Sequence, residues 1–136
     1  MLLKYDIEGG NFSKAGFASS EVKKILKQIN IDSKIIKRIV IALYEGEVNV
    51  VAHALSGIIS VDIDDKQISI RIEDKGPGIE DIELAMKEGY STASESVREM
   101  GFGAGMGLPN IKRNTDWFNI NSMVGEGTVL EMKTNF

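Results

Sequence analysis

Glu45, Asn49 and His53 recur at intervals of four within LYEGEVNVVAHA, residues 43–54, a segment otherwise rich in apolar residues. On an α-helix that spacing stacks the three side chains along one stripe. An acid and an amide on a shared stripe could offer a general base and a neutral oxygen ligand to a magnesium-bound triphosphate. Mg²⁺ prefers oxygen and takes few protein ligands when phosphates and waters complete its octahedron. The same two residues could equally mark the solvent margin of an amphipathic helix. Glu47 stands two residues from both and falls roughly on the opposite side, so Glu45 is the candidate base. A single histidine can build neither a multi-histidine metal site nor a Ser-His-Asp triad, and His53 reads as structural or supporting.

Three further places break an apolar pattern. Ile68, Ile70 and Ile72 share one face of a predicted strand, and their parity carries Asp74 onto that face. A carboxylate there costs several kcal/mol unless something pairs with it. Lys75-Gly76-Pro77-Gly78 follows, a turn that leaves room for a flat ligand with a hydrogen-bond donor; the plainer reading is a turn aspartate bonded to its own backbone. Thr128 shares the parity of Leu130 and Met132 directly after Gly125-Glu126-Gly127, placing a hydroxyl where a core residue was due. Gly101, Gly103, Gly105 and Gly107 occupy alternate positions ahead of a candidate helix with Pro109 in its first turn. Such a run offers free backbone N–H groups to a phosphate, or is simply a flexible loop. It fits neither the P-loop nor G-x-G-x-x-G, since positions 106 and 108 are Met106 and Leu108.

The elements that must hold these residues follow from periodicity. Leu3, Tyr5 and Ile7 alternate with Lys4 and Asp6, which predicts a strand. Val22, Ile25, Leu26 and Ile29 predict a helix over 20–29, and Asp32 or Ser33 is placed to cap a second over 33–54. Ile59, Val61 and Ile63, then Ile68, Ile70 and Ile72, read as a hairpin. A short helix around 79–88, a polar run, a helix over 106–114 and strands near 117–123 and 128–134 complete the chain. With neither linker nor internal repeat in the pattern, the expectation is one domain over 1–136. It should be a two-layer α/β sandwich, a mixed, mostly antiparallel sheet covered by helices on one face.

Composition narrows the functional classes. The 136 residues are 43% hydrophobic and 26% charged, typical of a globular chain able to bury about two-thirds of its unfolded surface. The chain has no cysteine, so disulfide and thiolate chemistry are excluded. A net charge of -4 argues against general affinity for nucleic acid. The opening MLLKYDIEGG is too short an apolar run for a signal peptide, and no stretch approaches the roughly 20 apolar residues a bilayer requires. No membrane role and a cytoplasmic location are expected.

Taken in order, these segments resemble the GHKL ATP-binding superfamily, whose fold is the Bergerat sandwich. Glu45-x-x-x-Asn49-x-x-x-His53-Ala54 matches its N box, and Asp74-x-Gly76-x-Gly78 its first glycine box. GFGAGMGL, from Gly101 to Leu108, matches the second and Gly125-x-Gly127-Thr128 the third. The stretch GMGLPNIKRNTDWFNINSMVGEGT is most similar to RsbT-type serine/threonine kinases of bacterial stress signalling, and less closely to RsbW-type anti-sigma kinases. The helical dimerisation domain of histidine kinases is not expected within these 136 residues, and their only histidine lies inside the N box.

The resemblance implies ATP and Mg²⁺ as cofactors. It implies Asp74 accepting the adenine amino group, Thr128 reading the adenine edge, and Gly76 and Gly78 giving the base room. Asn49 would hold Mg²⁺. Gly101, Gly103, Gly105, Gly107 and Leu108 would form the phosphate loop, beneath a lid of roughly 88–104. Glu45 would take a proton from a serine on a partner. Ser91, Thr92, Ser94 and Ser96 read as phosphate contacts or a solvated loop, and the direction of Lys112 and Arg113 stays open. The implied partner is a STAS-domain anti-sigma antagonist, with a sigma factor or a phosphatase as further candidates and homodimerisation left open. The competing functions are a nucleotide-gated module that sequesters a sigma factor, and a slow ATPase without a protein acceptor.

Overall fold

The computed structural model describes residues 1–87 and 107–136. Five strands form one sheet: β1 (Leu2–Glu8), β2 (Ser56–Ile63), β3 (Gln67–Lys75), β4 (Trp117–Met123) and β5 (Gly127–Asn135). Their order is β1-β2-β3-β5-β4, and every described ladder is antiparallel, the limiting case of the mostly antiparallel sheet predicted. Helices α1 (Phe17–Gln28), α2 (Ser33–His53), α3 (Ile82–Ala85) and α4 (Gly107–Arg113) accompany it. Among the described residues, no helix is long and apolar enough to cross a membrane.

The core forms where helix stripe meets strand parity. Val22 and Leu26 of α1 and Ile39, Leu43 and Val50 of α2 close over Ile59, Val61, Ile68, Ile70, Ile72, Leu130 and Met132. Each such side chain contributes about 1.5–3 kcal/mol of burial. Gly46, in mid-helix, costs about 1 kcal/mol of propensity against alanine. Its compensation is proximity: a Cβ there would run into Ile72 Cδ1, so α2 lies close on β3 one residue from Glu45.

Two helix starts are made differently. Asp32 caps α2 by accepting from Lys34 N at 2.8 Å, as its residue type predicts. Helix α1 begins at Phe17, three residues before the predicted start, and Gly16 ahead of it provides no side-chain cap. Instead the carboxylate of Glu47, only 2% exposed, accepts from Ala18 N at 3.0 Å and Ser19 N at 3.2 Å. A charge at a helix N-terminus is favourable, so this distant residue fixes where α1 starts. The predicted helix over 79–88 shortens to α3 because Ser122 Oγ holds Ile79 N at 2.7 Å and Asp81 caps at Leu84 N.

Candidate nucleotide and catalytic site

Helix α2 carries one end of the site. Gly107, the first residue of α4, faces it: a Cβ on Gly107 would lie 3.3 Å from Asn49 Oδ1 and 3.5 Å from Glu45 Oε2. The N box and the last glycine of the second box therefore meet, and Glu45 and Asn49 do share a stripe, both half-buried. Burial raises the Glu45 pKa, and a hydrogen bond with the Asn110 side chain opposes the rise. Glu47 points away, into α1, so it is the structural acid of the pair. Among the described residues no cluster of three His, Cys, Asp or Glu could hold a metal. A cation here would depend on the Asn49 amide oxygen, with phosphate and water completing the shell, which suits Mg²⁺.

The other end is built where β3 stops. Asp74 shares the inward parity of Ile72, and its Oδ1 accepts from Thr128 N at 3.1 Å. Among the described residues, its second oxygen receives no hydrogen bond. Burial raises the Asp74 pKa, against the Thr128 N–H. The surroundings are kept clear by glycine. A Cβ on Gly76 would sit 3.3 Å from Asp74 Oδ1 and 3.0 Å from Ala54 Cα, at the end of α2; one on Gly127, whose φ is 141°, would strike the Asp74 carbonyl oxygen. A half-buried carboxylate with an open lone pair is the complement of an amino-bearing flat ligand.

Thr128 Oγ1 lies 2.9 Å from Ser122 Oγ, which also accepts from Ile79 N and sits 3.2 Å from Gly127 O. When the one Ser122 proton goes to Gly127 O, Thr128 gives its proton to Ser122 and keeps its lone pairs for a ligand. Ser122 had no signal in the sequence, because its role depends on two turns meeting. Gly78 has a reason of its own: its φ is 75°, and a Cβ would run into the Met123 carbonyl where the β4–β5 turn crosses. Leu108, 8% exposed, puts its side chain in the core, so any contact with a nucleotide falls to its backbone. His53 ends α2, and burial lowers its pKa. Gly101, Gly103, Gly105, the lid over 88–104 and Ser91, Thr92, Ser94 and Ser96 lie outside the described residues.

An antiparallel sheet under helices, with an acid and an amide on one helix and a lone aspartate at a strand end, is the layout of a nucleotide-binding ATPase domain. The profile of the histidine kinase-like ATPase domain matches residues 14–134, and the chain belongs to that family. The serine/threonine-protein kinase RsbT of Bacillus subtilis (strain 168) is 34% identical over 113 residues, covering 80% of this chain and 79% of its own length. The anti-sigma F factor of Caldanaerobacter subterraneus subsp. tengcongensis is 33% identical over 121 residues, with coverage of 85% and 81%. The solved structure of the mycobacterial sensor histidine kinase MprB aligns with a TM-score of 0.55 at 16% identity, over 99% of this chain and 97% of that one; it shares the fold.

Proposed function

We propose that this chain is an ATP-dependent serine/threonine protein kinase of a cytoplasmic partner-switching system, acting on a serine of a STAS-domain anti-sigma antagonist. The observation that carries the reading is the pair of half-buried carboxylates, Glu45 and Asp74. Burial raises both pKa values, and α2 spans the distance between them. Similarity to RsbT supports the reaction class.

Asp74 accepts the adenine amino group on its open oxygen, and Thr128 reads the neighbouring edge. Gly76 leaves room for the purine. Asn49 holds Mg²⁺, which supplies charge neutralisation at the phosphates when bound. Gly107, with Gly101, Gly103 and Gly105 before it, lets the phosphates approach the backbone. Glu45 takes the proton of the acceptor hydroxyl, a contribution of about 10²–10⁴-fold. Its raised pKa brings its basicity closer to neutral pH. Positioning and charge neutralisation account for the rest, as in phosphoryl transfer generally.

Similarity to anti-sigma F factors favours a second reading, a nucleotide-gated module that sequesters a sigma factor with little transfer. Incubation with [γ-³²P]ATP and STAS-domain proteins separates the two. Label on a serine that is lost in Glu45→Ala, with ATP binding retained, is expected for the kinase. Tight sigma-factor binding with no transfer to any STAS protein would replace it with the second reading.

A further inference from the structure

Ser122 gathers atoms from separate parts of the chain. Its Oγ accepts from Ile79 N at 2.7 Å, lies 3.2 Å from Gly127 O and 2.9 Å from Thr128 Oγ1. A hydroxyl has one proton and two lone pairs, so these partners use all of it. Ser122 stands opposite Thr128 on the β4–β5 ladder, a cross-strand pair with both side chains half-buried. Thr128 is thereby tied at both ends, its N–H to Asp74 Oδ1 at 3.1 Å and its hydroxyl to Ser122. Ile79 directly follows the Gly76-Pro77-Gly78 turn beside Asp74, and Gly125 N donates to Pro77 O at 2.9 Å in the same crossing. One serine therefore joins the turn after Asp74 to the strand that carries Thr128. None of its bonds involves α2 or α4, where Glu45, Asn49 and Gly107 lie.

We infer that Ser122 is a positioning residue for base recognition: it holds the Thr128 hydroxyl and the Ile79 end of the turn after Asp74, and so sets Thr128 toward the base edge before a nucleotide arrives. The inference rests on Thr128 reading that edge. A threonine side chain chooses among staggered rotamers, and its hydroxyl proton rotates further. Among the described residues, Ser122 is the one side chain that bonds this hydroxyl. With the bond made, the nucleotide meets an ordered group. Without it, binding must also freeze the rotor, a cost that preorganisation removes.

Titration calorimetry of the full chain with a non-hydrolysable ATP analogue tests this. Ser122→Ala should raise Kd roughly 3- to 10-fold, and Thr128→Val should raise it as well. The double variant should bind within about twofold of Thr128→Val, because the hydroxyl through which Ser122 acts is already gone. A serine that only braced the turn would weaken the Thr128→Val background as much as the wild type. In single-turnover transfer to the STAS-domain protein that the wild type labels, Ser122→Ala should raise the half-saturating ATP concentration by the same factor. Its rate at saturating ATP should stay within about twofold, since the bonds of Ser122 lie at the base end. Hydrogen exchange at the Ile79 amide should quicken in Ser122→Ala and not in Thr128→Val, which reads the joint without nucleotide. Additive losses in the double variant, or wild-type affinity in Ser122→Ala while Thr128→Val binds weakly, would overturn the inference. Wild-type affinity in Thr128→Val would remove the edge-reading role of Thr128 and the inference with it, and the Ile79 exchange would show separately whether the joint exists.

Discussion

Replacing Asp74 by asparagine separates ligand binding from folding. The amide is isosteric, and its Oδ1 can still accept from Thr128 N, the one hydrogen bond the carboxylate receives among the described residues. That orientation turns Nδ2 toward the purine, so a donor faces the adenine amino donor where an acceptor stood. A hydrogen bond to a charged group is worth about 1.5–3 kcal/mol, which converts to a roughly 10- to 150-fold rise in Kd for ATP. Stability moves the other way. Burial raises the Asp74 pKa in the folded chain, so the native state binds more protons than the unfolded one between the unfolded and folded pKa values. Stability therefore falls as pH rises through that window, and the full cost is present above it. Asp74→Asn lifts this cost, so at pH 7.5 the nucleotide-free variant should melt no lower than the wild type. Titration calorimetry with a non-hydrolysable ATP analogue and a thermal melt on the same sample read both effects. ATP affinity within threefold of wild type, or a nucleotide-free melt several degrees lower, would refute the reasoning.

Glu47→Ala should remove the cap on α1, leaving Ala18 N and Ser19 N without their acceptor; a loss of about 2–3 kcal/mol in urea denaturation is expected, with Glu47→Gln losing less. Gly127→Ala should strain a backbone held at φ 141° and push on the Asp74 carbonyl, costing about 1–3 kcal/mol in melting and weakening ATP binding in titration. Burial lowers the His53 pKa below 6.5, so the unfolded chain binds the proton more readily and stability should fall as pH drops below 6.5. His53→Gln should flatten that part of the stability–pH curve in denaturant titrations.

What was legible in the sequence was local. The alternation of Leu3, Tyr5 and Ile7 and the isoleucines of β2 and β3 gave strands, and the four-residue interval of Glu45 and Asn49 gave a shared helix face. Parity alone put Asp74 and Thr128 on the helix-covered side, and the ladder brought them within hydrogen-bond reach. What was illegible depends on segments far apart in the chain. Glu47 reads only as an acid on the opposite side of the helix from Glu45 until α1 is packed across it, and the start of α1 cannot be found from Gly16 and Phe17 because its cap lies 28 to 29 residues away. Gly78 looks like room for a ligand, yet its backbone is required by the crossing turn at Met123. Leu108 sits in a glycine box by sequence and in the core by packing.

The central claim is that a magnesium nucleotide pairs the two half-buried carboxylate regions of α2 and β3. A crystal structure of the chain with Mg²⁺ and a non-hydrolysable ATP analogue tests it most directly. The expected result has the adenine amino group donating to Asp74, the metal on the Asn49 amide oxygen, and Glu45 directed at the terminal phosphate. A nucleotide bound elsewhere, or an adenine that leaves Asp74 without a donor, would contradict it.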